Sequence, residues 1–291
     1  PFRADGTAEL RLPLVVGIRY VPGAPLDRDP WGDGVEPDTD QAPDYHYGAT
    51  SHRLESEIGP LSRTYQHDAA GNRSSEGLDG YTHDAAGRLT RIDRAGQPIA
   101  YDHYNAVGQR VSKMTAEGTV VYLYDEAGHL LGEYDSQGQA LREHLYLGDL
   151  PVAVHLDKVY YVQADHLGTP RKLTDPATNQ VVWRCAGQPF GESLPEEDPD
   201  GDGRMLKHNQ RFPGQYYDGE TGLHYNYFRD YDPGTGRYVE VDPIGIAGGL
   251  NVYEYARSNP LAFTDPLGLM GGGGAAHAVP PVPGVFGCLI G

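Results

Sequence analysis

The heptapeptide Tyr65-Gln66-His67-Asp68-Ala69-Ala70-Gly71 decides the fold, because it recurs along the chain. It returns as Tyr81-Thr82-His83-Asp84-Ala85-Ala86-Gly87 and as Tyr122-Leu123-Tyr124-Asp125-Glu126-Ala127-Gly128, with weaker copies at 104–108 and 134–138. Asp or Asn at the first position of a type I turn can bond back onto that turn, and Gly is favoured at the fourth position. The repeat therefore predicts a series of tight turns, each begun by Asp or Asn.

The segments between these turns alternate in the manner of β-strands. Residues 88–92 follow one turn and residues 119–124 precede another, and both stretches are rich in β-branched or aromatic side chains at a period of two. A single hairpin cannot bury its apolar face alone, so neighbouring hairpins must stack. The pattern predicts an all-β fold in which one sheet grows by the addition of hairpins.

Composition agrees with this prediction and excludes several classes of protein. The chain has 291 residues, with 39 Gly, 23 Pro and 21 Tyr, and its formal net charge is −18. Such a charge repels a phosphate backbone, which argues against nucleic-acid binding through a basic face. No run approaches the roughly 18 apolar residues of a membrane-spanning helix. The two cysteines, Cys185 and Cys288, indicate neither a disulfide framework nor a zinc site, and both are expected to be unpaired.

The Tyr-x-x-Asp-x-x-Gly units resemble the YD repeats of the Rhs (rearrangement hot spot) family. Residues 165–171, Asp-His-Leu-Gly-Thr-Pro-Arg, are similar to the hallmark segment of that family. The stretch from Arg211-Phe212-Pro213-Gly214 to Asp265-Pro266-Leu267-Gly268-Leu269 resembles the Rhs-associated core domain. The resemblance covers about residues 45–269, and the ordered combination of these motifs is far more specific than one repeat.

The resemblance implies an architecture that is shared with the C components of Tc toxins. Their hairpins wind into a spiral sheet that forms a hollow shell around a C-terminal toxin domain, and the core domain closes one end as a plug. Four regions are expected on this basis. They are a poorly assigned N-terminal segment of a longer shell (1–44), the YD-repeat sheet (45–210), the core domain (211–269) and the Gly/Pro-rich start of a truncated toxin region (270–291).

The core domain of the family is similar to a self-acting aspartic protease that cuts after the closing Leu. The resemblance places the scissile bond between Leu269 and Met270, and it places the catalytic groups at Asp242, Asp265 and Arg229. Two neighbouring carboxylates that share a proton can hydrolyse an amide without a metal or a cofactor, so neither is expected. Which carboxylate acts as the base and which as the acid stays open.

Two other segments invite local predictions. Residues 198–203, Asp-Pro-Asp-Gly-Asp-Gly, resemble the start of a calcium loop, but Asn209 stands where a bidentate Glu is needed. An acidic surface loop is therefore expected there. Residues 251–257 are expected to form a short helix with Asn251 as its N-cap, which would turn the chain so that Asp242 and Asp265 meet.

These features support two hypotheses from different classes. The resemblance implies a toxin-enclosing shell, interbacterial or insecticidal, that cleaves itself once and is exported from a bacterium by type VI secretion or another apparatus. Its partners would be its own C-terminal toxin, the N-terminal part of the same shell and secretion-apparatus proteins. The alternative is a non-enzymatic surface or adhesion module whose tyrosine faces bind carbohydrate.

Overall fold

Antiparallel strands follow one another along most of the chain. A computed structural model describes residues 43–59 and 62–269. In this part of the chain, fifteen strands form one sheet in which each strand pairs with its neighbours in sequence order. The all-β prediction is confirmed. The predicted regions 1–44 (except its last two residues) and 270–291, with Met270 and Cys288, lie outside the described residues.

The two sheets of the described chain are consecutive in sequence. The large sheet contains β1 (Asp44–Tyr47), β2 (Leu54–Ile58), β3 (Arg63–His67), β4 (Arg73–Glu76), β5 (Asp79–His83), β6 (Leu89–Arg94), β7 (Gln97–Tyr104), β8 (Arg110–Thr115), β9 (Gly118–Tyr124), β10 (Leu130–Asp135), β11 (Ala140–Leu147), β12 (Leu150–His155), β13 (Val159–Ala164), β14 (Pro170–Thr174) and β15 (Val181–Arg184). The small sheet contains β16 (Tyr216–Tyr217), β17 (His224–Asn226), β18 (Arg229–Asp232) and β19 (Arg237–Tyr238). The division between repeat sheet and core domain at residue 210 stays a prediction.

Each predicted Asp-x-x-Gly turn forms. In the first, the Gly71 N–H donates to the Asp68 carbonyl oxygen at 3.1 Å, and Asp68 Oδ1 accepts the N–H of Asn72 at 2.9 Å. The same closing bond is present at the other four turns. A sixth turn closes between Gly168 and Asp165 at 3.0 Å. In this turn Val162 stands where the strong copies of the repeat have Tyr, three residues before the acid.

One face of the large sheet is buried against the small sheet and its loops. The repeat tyrosines Tyr65, Tyr81 and Tyr122 are all buried on it. Tyr122 packs with Tyr216 and Tyr225 of the small sheet. The apolar face that the hairpins cannot bury among themselves is therefore covered by the residues that follow them in the chain.

A buried network of charges joins the two sheets. Arg110 on β8 is fully buried and donates two hydrogen bonds to Asp218, at 2.6 and 2.9 Å. It also contacts Asp102 at 3.3 Å, and Lys113 lies 2.8 Å from Asp218. Burial alone would raise the pKa of Asp218, but Arg110 and Lys113 hold it below its ordinary value. Asp218 therefore stays ionised inside the protein, where its charge needs both partners.

The predicted helix at 251–257 is wrong. The segment instead forms a turn in which the Glu254 N–H donates to the Asn251 carbonyl oxygen at 3.1 Å. Glu254 also forms an isolated antiparallel β-bridge with Arg237, the first residue of β19. Only Ala256–Ser258 forms a 3-10 turn, with positive φ values of 47°, 56° and 55°. Pairing with the small sheet outweighs the local helical preference. The Asn251 side chain does accept an N–H two residues on, from Tyr253 at 3.2 Å, but within a turn.

Three smaller predictions concern the surface and the cysteines. Cys185 is buried and unpaired, as expected. The carboxylate oxygens of Asp198, Asp200 and Asp202 lie within 4.8 Å of one another in a partly exposed loop, which agrees with an acidic surface loop. Among the described residues, no helix has the length and apolar character needed to cross a membrane.

Replacing Arg110 by Leu is expected to lower the free energy of unfolding by about 3–5 kcal/mol, because buried Asp102 loses its arginine contact and buried Asp218 keeps only Lys113. Urea unfolding followed by tyrosine fluorescence measures the loss. Arg94→Leu is the matched control, because Arg94 binds Asp79 in a fork but is 48% exposed. Water screens that pair, so its loss costs less than about 1 kcal/mol. Equal effects of the two variants would contradict the expectation.

Candidate active site at the closing segment

The small sheet and the segment after it bring four predicted site residues together. Arg229 lies on β18, and Asp242 follows β19. Asp265 and Leu269 belong to the closing segment 265–269, whose Leu267 carbonyl oxygen accepts the Phe228 N–H at 3.2 Å. All four residues are buried. Met270, the fifth predicted site residue, lies outside the described part of the chain.

The Arg229 guanidinium contacts both acids. Its Nη2 lies 3.1 Å from Asp242 Oδ2 and 3.4 Å from Asp265 Oδ2. Nη1 donates to the Val252 carbonyl oxygen at 3.0 Å, and Nε donates to the Gly268 carbonyl oxygen. The flat fork of donors on an arginine can serve several acceptors at once, which the single ammonium of a lysine cannot do in this geometry. Arg229 thus fixes both carboxylates relative to the closing segment.

Asp265 folds the closing segment onto itself. Its Oδ1 accepts the Leu269 N–H at 3.0 Å, and its Oδ2 accepts the Tyr238 hydroxyl at 3.0 Å. The Asn226 amide donates both to the Asp265 carbonyl oxygen, at 2.9 Å, and to the Tyr238 hydroxyl oxygen, at 2.7 Å. The backbone of Leu269 is consequently held in one position relative to the two acids.

Asp242 lies beside the carbonyl group of Leu269. Its Oδ1 accepts the Ile244 N–H at 2.9 Å. A methyl group placed on Gly248 would come within 2.6 Å of the Leu269 carbonyl oxygen, and closer still to Asp242 Oδ2. Both oxygens therefore border the same small space, which stays open because residue 248 has no side chain.

Burial raises the pKa of Asp242 to about 6, although Arg229 and the Ile244 N–H lower it and the charge of Asp265 raises it. Its carboxyl group is therefore protonated in mild acid and ionised above neutrality. A group with such a pKa can exchange a proton with a reacting group near physiological pH. The site holds one carboxyl group with this property next to a backbone carbonyl.

The Leu269 side chain is enclosed by apolar residues. It packs in a cluster with Tyr227 and Phe228, and Ile244 and Leu267 contact the cluster from its edge. A cavity of 400 Å³ adjoins the closing segment, between the small sheet and turns of the large sheet. Leu269 is thus held by its side chain as well as by its N–H.

Sequence reasoning missed Tyr238 and Asn226, which orient Asp265. A signal for Tyr238 was present, since Tyr238, Glu240 and Asp242 alternate and would share one face of an extended chain. Asn226 gave no signal, because its partner Asp265 is far away in sequence. Gly248 was also overlooked, since a glycine that leaves room for a reacting group looks like any other turn residue.

Comparison with known proteins gives the family. The model of the teneurin YD-shell family matches residues 57–261. The chain belongs to this YD-shell family. Its relatives include double-stranded DNA deaminase toxin A of Burkholderia cenocepacia (40% identical over 138 residues, 46% of this chain and 9% of that protein). Toxin protein Tse5 of Pseudomonas aeruginosa is 39% identical over 113 residues, 39% of this chain and 8% of that protein.

A third relative, tRNA nuclease WapA of Bacillus subtilis, is 30% identical over 212 residues, 69% of this chain and 9% of that protein. The YD-shell chain thus spans less than a tenth of the length of each of these three relatives. Solved structures share its fold. The match to the crystal structure of TcdB2-TccC3 covers 78% of this chain and 14% of the solved chain, with a TM-score of 0.54 and 18% identity. The match to the structure of the Photorhabdus luminescens Tc holotoxin pore covers 81% of this chain and 14% of the solved chain, with a TM-score of 0.54 and 17% identity.

The sequence-based resemblance to Rhs-type and Tc toxin shells is confirmed by these matches. The YD-shell fold of the chain is likewise established. The roles of Asp242, Asp265, Arg229, Leu269 and Met270 stay predictions, because similarity of fold does not test a reaction.

The Asp242 carboxyl group is expected to titrate near pH 6, and Arg229→Gln is expected to raise its pKa further by removing a nearby positive charge. Carboxyl ¹³C NMR of the full chain measures both values. Asp84 serves as the reference. Burial alone would raise the pKa of Asp84, but hydrogen bonds from Arg88 hold it below its ordinary value. Titration of Asp242 together with Asp84 would contradict the expectation.

Proposed function

We propose that this YD-shell chain cleaves its own Leu269–Met270 bond with Asp242 and Asp265. One observation carries the proposal. Asp265 accepts the N–H of Leu269, while the Leu269 carbonyl oxygen borders the same space as Asp242 Oδ2. Asp265 thus binds the N–H of the residue whose carbonyl group would react, Asp242 borders that carbonyl oxygen, and Arg229 contacts both acids.

The reaction is hydrolysis of an amide by two carboxyl groups. Protonated Asp242 donates a hydrogen bond to the Leu269 carbonyl oxygen, and ionised Asp265 accepts a proton from a water molecule that attacks the carbonyl carbon. A C–O bond forms, the bond to the Met270 nitrogen breaks, and that nitrogen takes the proton given up by Asp242. The products are a chain that ends in the Leu269 carboxyl group and a peptide that begins at Met270.

The arrangement favours a single turnover within one chain. The closing segment is part of the same molecule as the acids, so the reacting bond is presented at high effective concentration. Leu269 is only 5% exposed, and its contacts with Tyr227 and Phe228 do not involve the departing peptide. After cleavage Leu269 stays in place and occupies the site, which excludes a second substrate.

The names of the relatives support a proposal for the wider role of the chain. Two of the relatives are named as toxins and the third as a tRNA nuclease, and the YD-shell chain spans less than a tenth of each. In the proposed function the chain is the closing part of a shell that encloses a toxin following Leu269 and separates it by self-cleavage. Its partners are that toxin, the earlier part of the shell and a bacterial secretion apparatus that exports the assembly, type VI or another.

The carbohydrate-binding alternative receives less support. Sugars stack on exposed aromatic faces, whereas the repeat tyrosines Tyr65, Tyr81 and Tyr122 are 5%, 7% and 3% exposed. Arg73 and Arg110 also cover ring faces of Tyr65 and Tyr122, at 4.5 and 5.2 Å from the ring centroids. These tyrosines contribute to the core rather than to a binding surface.

Asp242→Asn and Asp265→Asn are each expected to slow cleavage by about 100-fold or more, because general acid–base catalysis contributes factors of this size. Intact-mass measurement of the freshly translated full chain follows the loss of residues 270–291. Asp198→Asn is the matched control, since Asp198 also precedes a proline but lies in the acidic surface loop. Wild-type cleavage by either Asp242→Asn or Asp265→Asn would refute the proposed mechanism.

The cleavage rate is expected to fall as the pH rises through about 6, because the reaction uses protonated Asp242. Each further pH unit lowers the protonated fraction about tenfold. Stopped translation reactions transferred to buffers between pH 5 and 8 give the rates. A rate that rises through pH 6 would instead make Asp242 the base.

A further inference from the structure

The tip of the β17–β18 hairpin has a backbone that does not suit its residues. Asn226 pairs with Arg229, so Tyr227 and Phe228 alone form the turn. Tyr227 has a φ of +56°, a region that bulky residues rarely adopt and that glycine adopts freely. Residues held in such conformations often serve a functional site that needs their side chain.

The two rings of this tip enclose the residue before the proposed scissile bond. Tyr227 and Phe228 lie with ring centroids 4.5 Å apart, and both are nearly buried. Together with Leu269 they form one apolar cluster, and Leu267 and Ile244 complete its edge. Glycine at position 227 would relax the backbone but would remove one ring from the apolar cluster that contains Leu269.

Two turns of the large sheet also contact these rings. A methyl group on Gly108 would come within 2.6 Å of Phe228 Cε1, and one on Gly128 within 3.2 Å of Tyr227 Cε2. The Tyr227 hydroxyl donates to the Val107 carbonyl oxygen at 3.4 Å. The rings therefore lie against the turns that end at Gly108 and Gly128, and they belong to the apolar cluster that contains Leu269.

We propose that Tyr227 and Phe228 form a clamp that selects the residue before the scissile bond, and that the turns ending at Gly108 and Gly128 hold this clamp in place. Cleavage then depends on the large sheet having formed around the tip. The inference rests on the proposed self-cleavage and adds to it a specificity determinant and a requirement for the assembled shell. The clamp acts by positioning Leu269 and takes no part in proton transfer.

The first test uses paired substitutions in the full chain, with cleavage followed by intact mass and stability by thermal unfolding. Tyr227→Gly is expected to unfold at or above the temperature of Tyr227→Ala, because it relieves the positive φ. Both are expected to cut at least about tenfold more slowly than wild type, since loss of precise positioning is costly. The Leu269→Phe chain is expected to be cut more slowly than the wild-type chain, because the clamp has no room for a larger ring. The double variant Leu269→Phe/Tyr227→Gly is expected to be cut faster than the Leu269→Phe chain, because the Tyr227 ring no longer fills that space.

The outcomes separate this inference from the function on which it rests. An uncut wild-type chain would refute self-cleavage itself. A wild-type chain that is cut, together with a Tyr227→Gly chain cut at the same rate, would overturn the clamp alone. Failure of Tyr227→Gly to improve cleavage of Leu269→Phe would overturn the selection of the residue.

The second test uses two glycines in equivalent turns. Gly108 closes its turn onto Asn105 at 3.1 Å with φ +91°, and Gly138 closes its turn onto Asp135 at 3.0 Å with φ +79°. An added methyl group meets Phe228 at Gly108, but at Gly138 it meets nothing within 4 Å. Both Ala variants carry the same backbone strain, so Gly138→Ala controls for it.

Gly108→Ala is expected to slow cleavage by about tenfold or more, whereas Gly138→Ala cuts at nearly the wild-type rate. Rates are measured at a temperature at which circular dichroism shows both variants to be fully folded. Equal rates for the two variants would overturn the dependence of cleavage on the sheet turns.

Discussion

The hydrogen bond that closes each Asp-x-x-Gly turn is the constraint on which the structure depends. A Gly N–H donates to the carbonyl oxygen of the residue that begins the turn. The side chain of that residue accepts further N–H groups of the turn, as Asp84 does from Ala86 and Arg88, and Asp68 from Gly71 and Asn72. Each turn sets the register of two strands, and a one-residue slip would exchange the buried and exposed faces. The continuous sheet therefore rests on a short local motif repeated at intervals.

A second level of organisation joins the sheet to the segment that carries the site. Here the contacts are charged and long-range: Arg110 binds Asp218, and Arg73 binds Asp232 at 2.8 Å. A buried ion pair tolerates little displacement, because a separated charge in the interior is costly. The small sheet is thus located on the large one by a few directional contacts, and Arg229 repeats the principle within the site by contacting two acids.

The sequence predicted the parts that local chemistry determines. The acid and glycine of each turn act within five residues, so the turns and the all-β fold could be read directly, and the weak copy at Asn105 formed as well as the strong ones. The helix at 251–257 failed because Glu254 pairs with Arg237, a partner that no local pattern reveals. The meeting of Asp242 with Asp265 was suggested by family resemblance, whereas the part played by Tyr238 and Asn226 required the three-dimensional contacts.

The sequential order of the strands has a consequence for the synthesis of the protein. Since every strand of the large sheet pairs with the one made just before it, each hairpin can form soon after it leaves the ribosome. The residues of the site come from the end of the described chain, and Phe228 and Tyr227 contact turns made far earlier, at Gly108 and Gly128. The site can therefore be completed only after both the early turns and the closing segment have been synthesised.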